Sequence, residues 1–514
     1  MDLTILHLHQ LDFYGAWSVF EPIDSMDHSR QAKISQWLRS LYELYHFQID
    51  HVFASLQEIF EEGWISRDQF LLILDHVDHL MHYDGMTSEF LLDILKDAVH
   101  HMELYLGAGD YMAFLARLYR FRELLILFLL VEAGKKDRVD VYQPGHAPEY
   151  LKVIENAYLN HELASYYGVY MFLQSKQLTD VIHLRNHSFV GHGHLGVTST
   201  NVWQSYEGKW HQSNSLSVQA FLSDMQILFQ DLGTELGNNP FSILTQGLEK
   251  ALGDLKKVFP LSSRQVQKET VFEEDLNEYQ YYALLNLVTH GKLPPKLQQP
   301  LEFAISLMLG SLTVDKCHDM RNLFDHFAQF RNQPTLLALF VPLAKGNQVS
   351  FINYLFAQLH VFLRRHDYGE LLIRVYRLME ELMIYFLGYE VDKETTRLVI
   401  RHRAEPRIRV ERHTFSGLIE AMEQAAISAL ESAFFFTVKE KWWLGISDLY
   451  RHSIVGHGSE AITKEHLEAI LSISVPELIE RLRRVMRSLG VQVFPNYFDL
   501  INEFIAWRYQ MLVK

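Results

Sequence analysis

The sequence predicts an all-α protein made of two tandem helical halves, with small β-hairpin insertions. Apolar residues recur every three to four positions along most of its 514 residues, and strand-like alternation is rare. The chain holds only 13 prolines and 26 glycines, few for a β-rich or disordered protein of this length. A block of nine residues recurs near the end of each half, which indicates an internal duplication.

Helical periodicity is clear in the first 110 residues. Between 34 and 60, Leu38 and Leu41 belong to an apolar stripe that runs between polar faces. The same spacing recurs over 70–80 and 90–106, and it predicts a helix in each. Each of these helices is expected to bury one face.

Two short segments alternate as strands do. Residues 138–142 alternate charged and apolar side chains before Gln143-Pro144-Gly145, which is a turn signal. Residues 407–411 alternate in the same way. Both segments predict small hairpins inserted between helices.

Three landmarks recur in the same order along the chain. Residues 110–123 align without gaps on 367–380, and 239–244 align on 496–501, each 257 positions later. The nine-residue block recurs 265 positions later. Matching landmarks in one order are what a tandem duplication leaves behind.

The boundary between the two halves is expected near residues 259–263, where Pro260 and two serines interrupt the helical pattern. We therefore place the domains at 1–260 and 261–514. Each is expected to be a helical bundle that contains one copy of the block.

The nine-residue block is the best candidate for chemistry. Residues 185–193 read Arg-Asn-His-Ser-Phe-Val-Gly-His-Gly, and residues 450–458 read Tyr-Arg-His-Ser-Ile-Val-Gly-His-Gly. Seven positions separate Arg185 from His192, so on a helix the two side chains share one face, ~10 Å apart along the axis. An arginine fork grips phosphate, and a histidine moves protons near neutral pH.

Such a pair suits the cleavage of RNA without a metal. The ribose 2′-OH attacks the adjacent phosphorus, histidine acts as general acid or base, and arginine stabilises charge on the phosphoryl oxygens. The products carry a 2′,3′-cyclic phosphate and a 5′-OH, and DNA cannot react because it lacks the 2′-OH. The alternative is a plain helix C-terminus broken by Gly191 and Gly193, with the arginine and histidine solvated beside it.

The two copies are not chemically equal. Arg185 corresponds to Tyr450, and Asn186 corresponds to Arg451. Arg451 therefore precedes His457 by six positions, and on an ideal helix it is rotated by about 100° from the place of Arg185. We expect the first copy to be fully competent and the second to be altered or supportive.

The block resembles the motif of the HEPN superfamily, helical domains whose ribonuclease members carry Arg-x(4–6)-His, often with Asn directly after the Arg. Arg185-Asn186 with His192 fits with six intervening residues, and Arg451 with His457 fits with five but without the Asn. The neighbouring landmarks look most like those of the ancillary ribonucleases of type III CRISPR systems.

The resemblance implies an internal pseudo-dimer with one composite active site. That site would combine Arg185, Asn186 and His192 of the first domain with Arg451 and His457 of the second. The implied activity is an endoribonuclease acting on single-stranded RNA in prokaryotic, CRISPR-type defence, with other defence proteins as candidate partners. The related ribonucleases usually carry a Rossmann-like sensor for cyclic oligoadenylates, and no alternating strand–helix pattern predicts one here, which leaves the activator open.

Three other functions stay open at this point. Two share the chemistry: a HEPN toxin and an RNA-guided effector nuclease. The third is a non-catalytic protein that binds RNA or a nucleotide, in which the shifted Arg451 marks decay. Association of two chains into a homodimer is also left open.

Arg120 and Arg377, which correspond in the repeat, are further candidates for RNA contact. Each lies three residues before a glutamate, Glu123 or Glu380. An i,i+3 ion pair is the simpler interpretation. The alternative places either arginine near the active site as a second phosphate contact.

A run of arginines in the second half is the best local candidate for contact with the RNA backbone, although a solvated and partly paired hairpin fits it equally well. Its members are Arg397, Arg401, Arg403, Arg407, Arg409 and Arg412.

A metal site is not expected. His76, His79 and His82, with Asp75 and Asp78 beside them, invite that interpretation, but their spacing spreads the rings over a wide arc. No cofactor is expected either.

Composition indicates a cytoplasmic protein without a membrane partner. The net charge of −16 argues against wholesale coating by nucleic acid but leaves room for a local basic site. Cys317 is the single cysteine, so no internal disulfide forms. The longest apolar run, residues 124–131, falls far short of the ~20 residues that a spanning helix needs, and no signal peptide is apparent at the start.

Overall fold

The chain divides into two compact units. Unit 1 comprises Met1–Leu184 and Ser199–Gln267, and unit 2 comprises Arg185–Thr198 and Lys268–Lys514. The predicted boundary at 260/261 lies outside the described residues, so the division into 1–260 and 261–514 stays a prediction. The computed structural model describes residues 8, 13–18, 20, 28–45, 52–81, 87–135, 147–188, 196–207, 218–258, 333–364, 366–391, 398–400, 417–421, 446, 462–494, 500, 503–504 and 507.

The described residues are mostly helical, which confirms the all-α class. Up to residue 258 the helices are α1 (Phe13–Ser18), α2 (His28–Tyr45), α3 (Val52–Glu61), α4 (Arg67–Met81), α5 (Ser88–Ala108), α6 (Tyr111–Glu132), α7 (Ala147–Leu159), a 3₁₀ turn (Ala164–Tyr166), α8 (Tyr167–Leu173), α9 (Lys176–His187), α10 (Ser199–Glu207), α11 (Val218–Asp231) and α12 (Pro240–Val258). From residue 333 they are α13 (Gln333–Ala344), α14 (Gln348–Arg364), α15 (Tyr368–Phe386), α16 (Lys464–Leu471) and α17 (Val475–Ser488).

A small antiparallel pair of strands follows α15. Strands β1 (Tyr389–Val391) and β2 (Leu398–Ile400) pair with Glu390 opposite Val399. The two hairpins predicted from alternation, at 138–142 and 407–411, lie outside the described residues. Those two hairpins therefore stay predictions, and β1 and β2 occupy a place that the alternation did not indicate.

The hairpin of α5 and α6 shows why the chain turns where it does. Thr87 caps α5, since its hydroxyl accepts from the N–H of Phe90. Gly109 adopts a left-handed φ of 74°, and the N–H of Asp110 donates to the carbonyl of Tyr105 at 2.8 Å. Because a left-handed residue after a helix costs glycine no Cβ clash, this position ends α5 cleanly. The Asp110 carboxylate then caps α6.

The hairpin of α14 and α15 repeats this turn. His366 takes the left-handed conformation with φ 52°, and the N–H of Asp367 donates to the carbonyl of Phe362 at 3.0 Å. The Asp367 carboxylate accepts from the N–H of Glu370 at 3.0 Å, as Asp110 accepts from the third residue after it. Each residue here lies 257 positions after its counterpart in the first hairpin.

The interiors of the two hairpins also correspond. Arg117 of α6 hydrogen-bonds Tyr105 of α5. Their counterparts are Arg374 of α15 and Phe362 of α14. The Arg374 guanidinium lies 5.2 Å from the ring centroid of Phe362. In each unit, an arginine of the second helix therefore contacts an aromatic residue of the first, over the ring in unit 2 and by a hydrogen bond in unit 1.

A second pair of positions carries polar contacts in both hairpins. In the first, Nδ1 of His101 lies 3.2 Å from a carboxylate oxygen of Asp97, one turn earlier on α5. In the second, Gln358 donates to the hydroxyl of Tyr354 at 2.7 Å and accepts from Nε of Arg374 at 2.9 Å. Tyr354 and Gln358 stand 257 positions after Asp97 and His101, so the positions correspond although the side chains differ.

Apolar packing joins α12 to α2 and to the turn between α3 and α4. Trp37 and Trp64 stack with ring centroids 5.4 Å apart. Gly247 of α12 approaches them so closely that a Cβ there would lie 2.9 Å from Ile65 and 3.0 Å from Trp37. Glycine is therefore required at this crossing for its small size.

Asn239 fixes the start of α12 against α5. Its side-chain oxygen accepts from the backbone N–H of Phe241 at 3.0 Å, which caps the helix. Its amide nitrogen donates to the carbonyl of His100 at 3.1 Å and to the carboxylate of Glu103 at 2.8 Å. Asn496, which stands 257 positions after Asn239, lies outside the described residues.

Within the described residues, no single helix is long and apolar enough to cross a membrane. Pro334–Ala344 and Gln348–Leu363 reach the necessary length and apolar content only when they are taken together, and they are bent by 107° relative to each other.

Candidate active site

Helix α9 ends within the first copy of the block and carries its first three residues, 185–187. Ser175 starts it: the Ser175 hydroxyl accepts from the backbone N–H of Leu178 at 3.2 Å, as an N-cap does. Lys176 pairs with Asp180 one turn later on the solvent side. Leu178 and Val181 are buried, so they define the inner face of the helix.

Arg185 lies on that inner face. It follows Leu178 by seven positions and Val181 by four, and residues at these spacings share one side of a helix. The side chain is half-buried, and its Nη1 donates to the amide oxygen of Asn186 at 3.2 Å. The guanidinium and the amide are thus held together at the end of α9.

Ser188 closes α9. It is buried, its hydroxyl donates to the carbonyl of Arg185 at 2.7 Å, and its backbone N–H donates to the same oxygen at 3.1 Å. Carbonyls in the last turn of a helix need such partners. The serine therefore fixes the backbone of the residue whose side chain is the candidate phosphate ligand.

The end of α9 corrects one expectation. The spacing argument placed Arg185 and His192 on one face of a continuous helix. The helix ends at His187, and Ser188 already lies outside it, so that expectation is wrong. The two hydrogen bonds of Ser188 end the helix before Gly191 and Gly193, the residues expected to break it.

The partners expected at a composite site are not described. His192 of the first block and Arg451 and His457 of the second lie outside the described residues. The arrangement of the two blocks therefore stays a prediction. The arginine run, Arg397, Arg401, Arg403, Arg407, Arg409 and Arg412, also lies outside the described residues.

The ion-pair interpretation of Arg120 and Arg377 is confirmed. Nη1 of Arg120 lies 3.6 Å from Glu123, and both side chains are buried. Arg377 pairs with Glu380, and with Glu381 at 2.7 Å. Both guanidiniums are about 4% exposed, a poor position for an RNA backbone, so neither enters the RNA surface proposed below.

The histidine raised as a metal ligand belongs to a buried polar cluster instead. Nε2 of His76 on α4 lies 3.4 Å from the carboxylate of Asp97, which also contacts His101. Burial by itself raises the pKa of a carboxyl, but His101 and His76 hold that of Asp97 well below its usual range. Within the described residues, no group of three or more His, Cys, Asp or Glu side chains is arranged to hold a metal ion.

His100 lies beside this cluster and differs from its neighbours. It is 4% exposed, and neither ring nitrogen makes a hydrogen bond within the described residues. Burial, and then the neighbouring His76, lower its pKa to about 3. The cluster is enclosed by helices, so we assign it to the core of unit 1 and not to catalysis.

Helix α8, which precedes α9, is positioned by close packing on α11. A Cβ on Gly168 would lie 1.5 Å from a carboxylate oxygen of Asp231, so a larger residue there requires the exposed Asp231 side chain to move. Its neighbour Tyr170 stacks on Tyr158 of α7, with ring centroids 4.7 Å apart. These contacts anchor the segment that leads into the candidate site.

The sequence patterns did not single out the arginines of α17. Arg481, Arg483, Arg484 and Arg487 occupy four of seven consecutive positions. A count of arginines along a helix, face by face, would have found them. They lie on the polar side of a strongly amphipathic helix.

No protein-family model matches the chain, and no curated protein or solved structure is significantly similar to it.

Proposed function

We propose that this chain is a metal-independent endoribonuclease that cleaves single-stranded RNA. The observation that carries the proposal is the recurrence of the His-Ser-x-Val-Gly-His-Gly block with an arginine just before it, at 185–193 and 450–458. Chance explains one arginine near one histidine. It does not explain two such blocks in matched surroundings.

The geometry of the first copy supports a role in phosphate binding. The Arg185 side chain is half-buried and braced by Asn186, and its backbone is held by Ser188. A guanidinium fixed in this way binds phosphoryl oxygens with less loss of side-chain entropy than a freely moving one.

In the proposed reaction, His192 or His457 accepts the proton of the ribose 2′-OH as that oxygen attacks phosphorus. The bond from phosphorus to the 5′ oxygen breaks, and the leaving oxygen takes a proton from a general acid. Arg185 neutralises charge that develops on the non-bridging oxygens, an effect worth roughly 10²–10³ in rate for one such donor. The products are a 2′,3′-cyclic phosphate and a 5′-OH.

The architecture that we propose is a tandem duplication of a HEPN-like helical domain, folded into an internal pseudo-dimer with one composite site. Two observations support the duplication. The two hairpins share their left-handed turn and their aspartate caps, and each joins an arginine of its second helix to an aromatic residue of its first, all at an offset of 257 positions. In this proposal, Arg451 and His457 complete a site begun by Arg185.

The proposed setting is prokaryotic, CRISPR-type defence in the cytoplasm, with other defence proteins as candidate partners. A HEPN toxin or an RNA-guided effector would use the same chemistry. The displaced Arg451 specifically favours another candidate, a non-catalytic protein that binds RNA or a nucleotide, because a one-residue shift turns that arginine by about 100° on a helix.

Purified full-length chain tests the proposal when it is incubated with a 5′-labelled single-stranded RNA in excess EDTA. We expect cleavage with 3′ ends that polynucleotide kinase must dephosphorylate before ligation. Arg185→Ala and His192→Ala should each reduce the rate at least 100-fold. Lys152→Ala, an exposed lysine on α7, is the matched control and should leave the rate unchanged.

Three outcomes oppose the proposal. Cleavage that leaves 3′-OH ends rejects the 2′-OH mechanism, and full activity of Arg185→Ala rejects the assigned site. Binding of RNA without cleavage favours the non-catalytic candidate. Adding cyclic oligoadenylates in a parallel reaction tests whether they activate the enzyme.

A further inference from the structure

Helix α17 presents a basic face in unit 2. Ser474 caps the helix by accepting from the N–H of Glu477. The apolar side chains, among them Leu478 and Leu482, are buried along one arc. On the remaining arc lie two glutamates, Glu477 and Glu480, and the four arginines Arg481, Arg483, Arg484 and Arg487.

The basic face carries more positive than negative charge. Arg481 pairs with Glu477 at 2.7 Å, and Arg483 pairs with Glu480 at 2.7 Å. Arg484 lies 3.8 Å from Glu480 and keeps 67% of its side chain exposed. Four arginines against two glutamates leave an excess of two positive charges, on a chain whose net charge is −16.

Arg487 is the least compensated of the four. It is exposed, and it makes no ion pair with any residue in the part of the chain that the structure describes. The C-terminal end of a helix favours a cation there, which stabilises α17 but leaves the guanidinium facing solvent.

The basic face is mounted rigidly on α14. The guanidinium of Arg483 lies 5.4 Å from the ring centroid of Phe356. Asn353 of α14 donates to the carbonyl of Gln492 at 3.0 Å and accepts from the N–H of Phe494 at 2.9 Å, which fixes the segment just after α17. These contacts fix the backbone that carries the basic face.

We propose that the basic face of α17, centred on Arg484 and Arg487, binds the phosphate backbone of single-stranded RNA. Arg481, Arg484 and Arg487 follow one another at three-residue steps, ~4.5 Å apart along the helix axis. Such a row meets a chain of repeated anions, and arginine forks bind phosphate oxygens in pairs. The inference rests on the proposed function, since it names a surface that would hold the substrate outside the reacting groups.

The test measures binding of a fluorescein-labelled 12-nucleotide oligouridine by anisotropy, with Arg185→Ala as the background so that RNA is not consumed. Salt is varied from about 50 to 300 mM. For single-stranded nucleic acid, each phosphate contact contributes about 0.7 to the slope of log K against log salt. Arg484→Ala/Arg487→Ala should therefore flatten the slope by about 1.4 and weaken binding at low salt about tenfold.

Two comparisons separate charge at this face from charge in general. Arg484→Lys/Arg487→Lys should retain most of the slope, because phosphate contacts need a cation. Lys152→Ala/Lys250→Ala removes two exposed lysines of unit 1 and should leave the slope unchanged. Thermal melting checks that each variant is folded.

The outcomes for the two proposals differ. If the wild-type chain cleaves RNA but the Arg484/Arg487 variant binds with unchanged slope and affinity, the basic face is not the RNA surface and the ribonuclease proposal stands. If the slope changes as expected but the wild-type chain, with Arg185 intact, does not cleave RNA, the surface stands and the enzyme does not. Displacement of RNA by polyglutamate at equal charge concentration would mean an acidic protein ligand and would overturn the assignment to RNA.

Discussion

In unit 2, the guanidinium of Arg374 lies over the ring of Phe362, 5.2 Å from its centroid. The pair that stands 257 positions earlier, Arg117 and Tyr105, is joined by a hydrogen bond. Burial alone lowers the pKa of Arg117, but Tyr105 and the carboxylate of Asp97 outweigh it and raise that pKa. Each hairpin thus gives an arginine an aromatic neighbour, which the cation meets over the ring face in unit 2 and through a hydrogen bond in unit 1.

The first prediction concerns the buried charges of α15. Replacing Arg377 with Met leaves Glu380 and Glu381 without their cation. Removing one partner of a buried pair costs about 3–5 kcal/mol, so the free energy of unfolding should fall by that order. Urea denaturation followed by circular dichroism measures it.

Neutralising the partners should reverse much of this loss. Arg377→Met/Glu380→Gln/Glu381→Gln removes the uncompensated charge, and we expect it to be more stable than Arg377→Met alone. Arg481→Met breaks an exposed pair with Glu477 and should cost less than about 1 kcal/mol. Equal losses in Arg377→Met and Arg481→Met would mean that burial does not set the energy of these pairs.

The second prediction compares the two left-handed turns. His366 has a φ of 52°, whereas its counterpart in the first hairpin is Gly109. A residue with a Cβ loses about 1–2 kcal/mol in this conformation. His366→Gly should therefore stabilise unit 2, by less than that amount because glycine also gains freedom in the unfolded chain. Gly109→Ala should destabilise unit 1, and thermal melting checks both.

Tyr368 provides the control for this pair. Its hydroxyl lies 3.3 Å from Nδ1 of His366, so His366→Gly also removes that contact. Tyr368→Phe removes the contact and keeps the backbone as it is. A loss of stability in His366→Gly larger than that in Tyr368→Phe would mean that the turn itself does not favour glycine.

Much of the fold follows from sequence because its determinants are local. The apolar spacing between 90 and 106 predicts α5, and the alignment of 110–123 on 367–380 predicts a second helix like α6. The ion pairs of Arg120 and Arg377 follow from three-residue spacing. Each of these features depends on residues that are neighbours along one helix.

Other features depend on contacts that spacing does not contain. His76 and Asp97 meet across two helices, and spacing along one helix does not predict their contact. The end of α9 depends on a hydroxyl that donates to a carbonyl three residues earlier. Serine is compatible with many positions in a chain, so the sequence indicated Gly191 and Gly193 as the end of the helix more strongly than Ser188.

The third prediction concerns pH. His100 is held neutral because its pKa falls from 6.5 to about 3 in the folded chain. Between pH 6.5 and about 3, the unfolded chain takes up a proton on this histidine and the folded chain does not. The free energy of unfolding therefore falls as the pH falls below 6.5. At pH 5.5 the loss is about 1.4 kcal/mol relative to pH 7.5. The groups around His100 are His76 on α4 and Lys96, Asp97 and His101 on α5.

Replacing His100 with Leu isolates its contribution. The variant should keep its melting temperature more nearly constant between pH 7.5 and 5.5 than the wild-type chain does. The pKa of Asp97 is lowered from 3.8, so Asp97 loses its contribution to stability only at more acidic pH. The effects of His100 and Asp97 therefore fall in different pH ranges. A wild-type pH profile that His100→Leu leaves unchanged would place the titrating group elsewhere.

The fourth prediction joins stability to the proposed activity. Ser188→Ala removes the hydroxyl that donates to the carbonyl of Arg185 at 2.7 Å and leaves that buried carbonyl with one partner fewer. The loss of one such hydrogen bond costs about 1 kcal/mol. The last turn of α9 should then fray more often, and RNA cleavage should fall severalfold because Arg185 occupies its position for less of the time.

A second variant distinguishes this positioning role from a catalytic one. Ser188→Thr keeps a hydroxyl and should restore most of the cleavage rate, whereas Arg185→Lys keeps the charge but loses the fork and should not. The cleavage rate of Ser188→Ala, relative to that of the wild-type chain at the same temperature, should recover as the temperature is lowered and fraying declines. A rate in Ser188→Ala as low as in Arg185→Ala, at every temperature, would instead give the hydroxyl a direct part in the reaction.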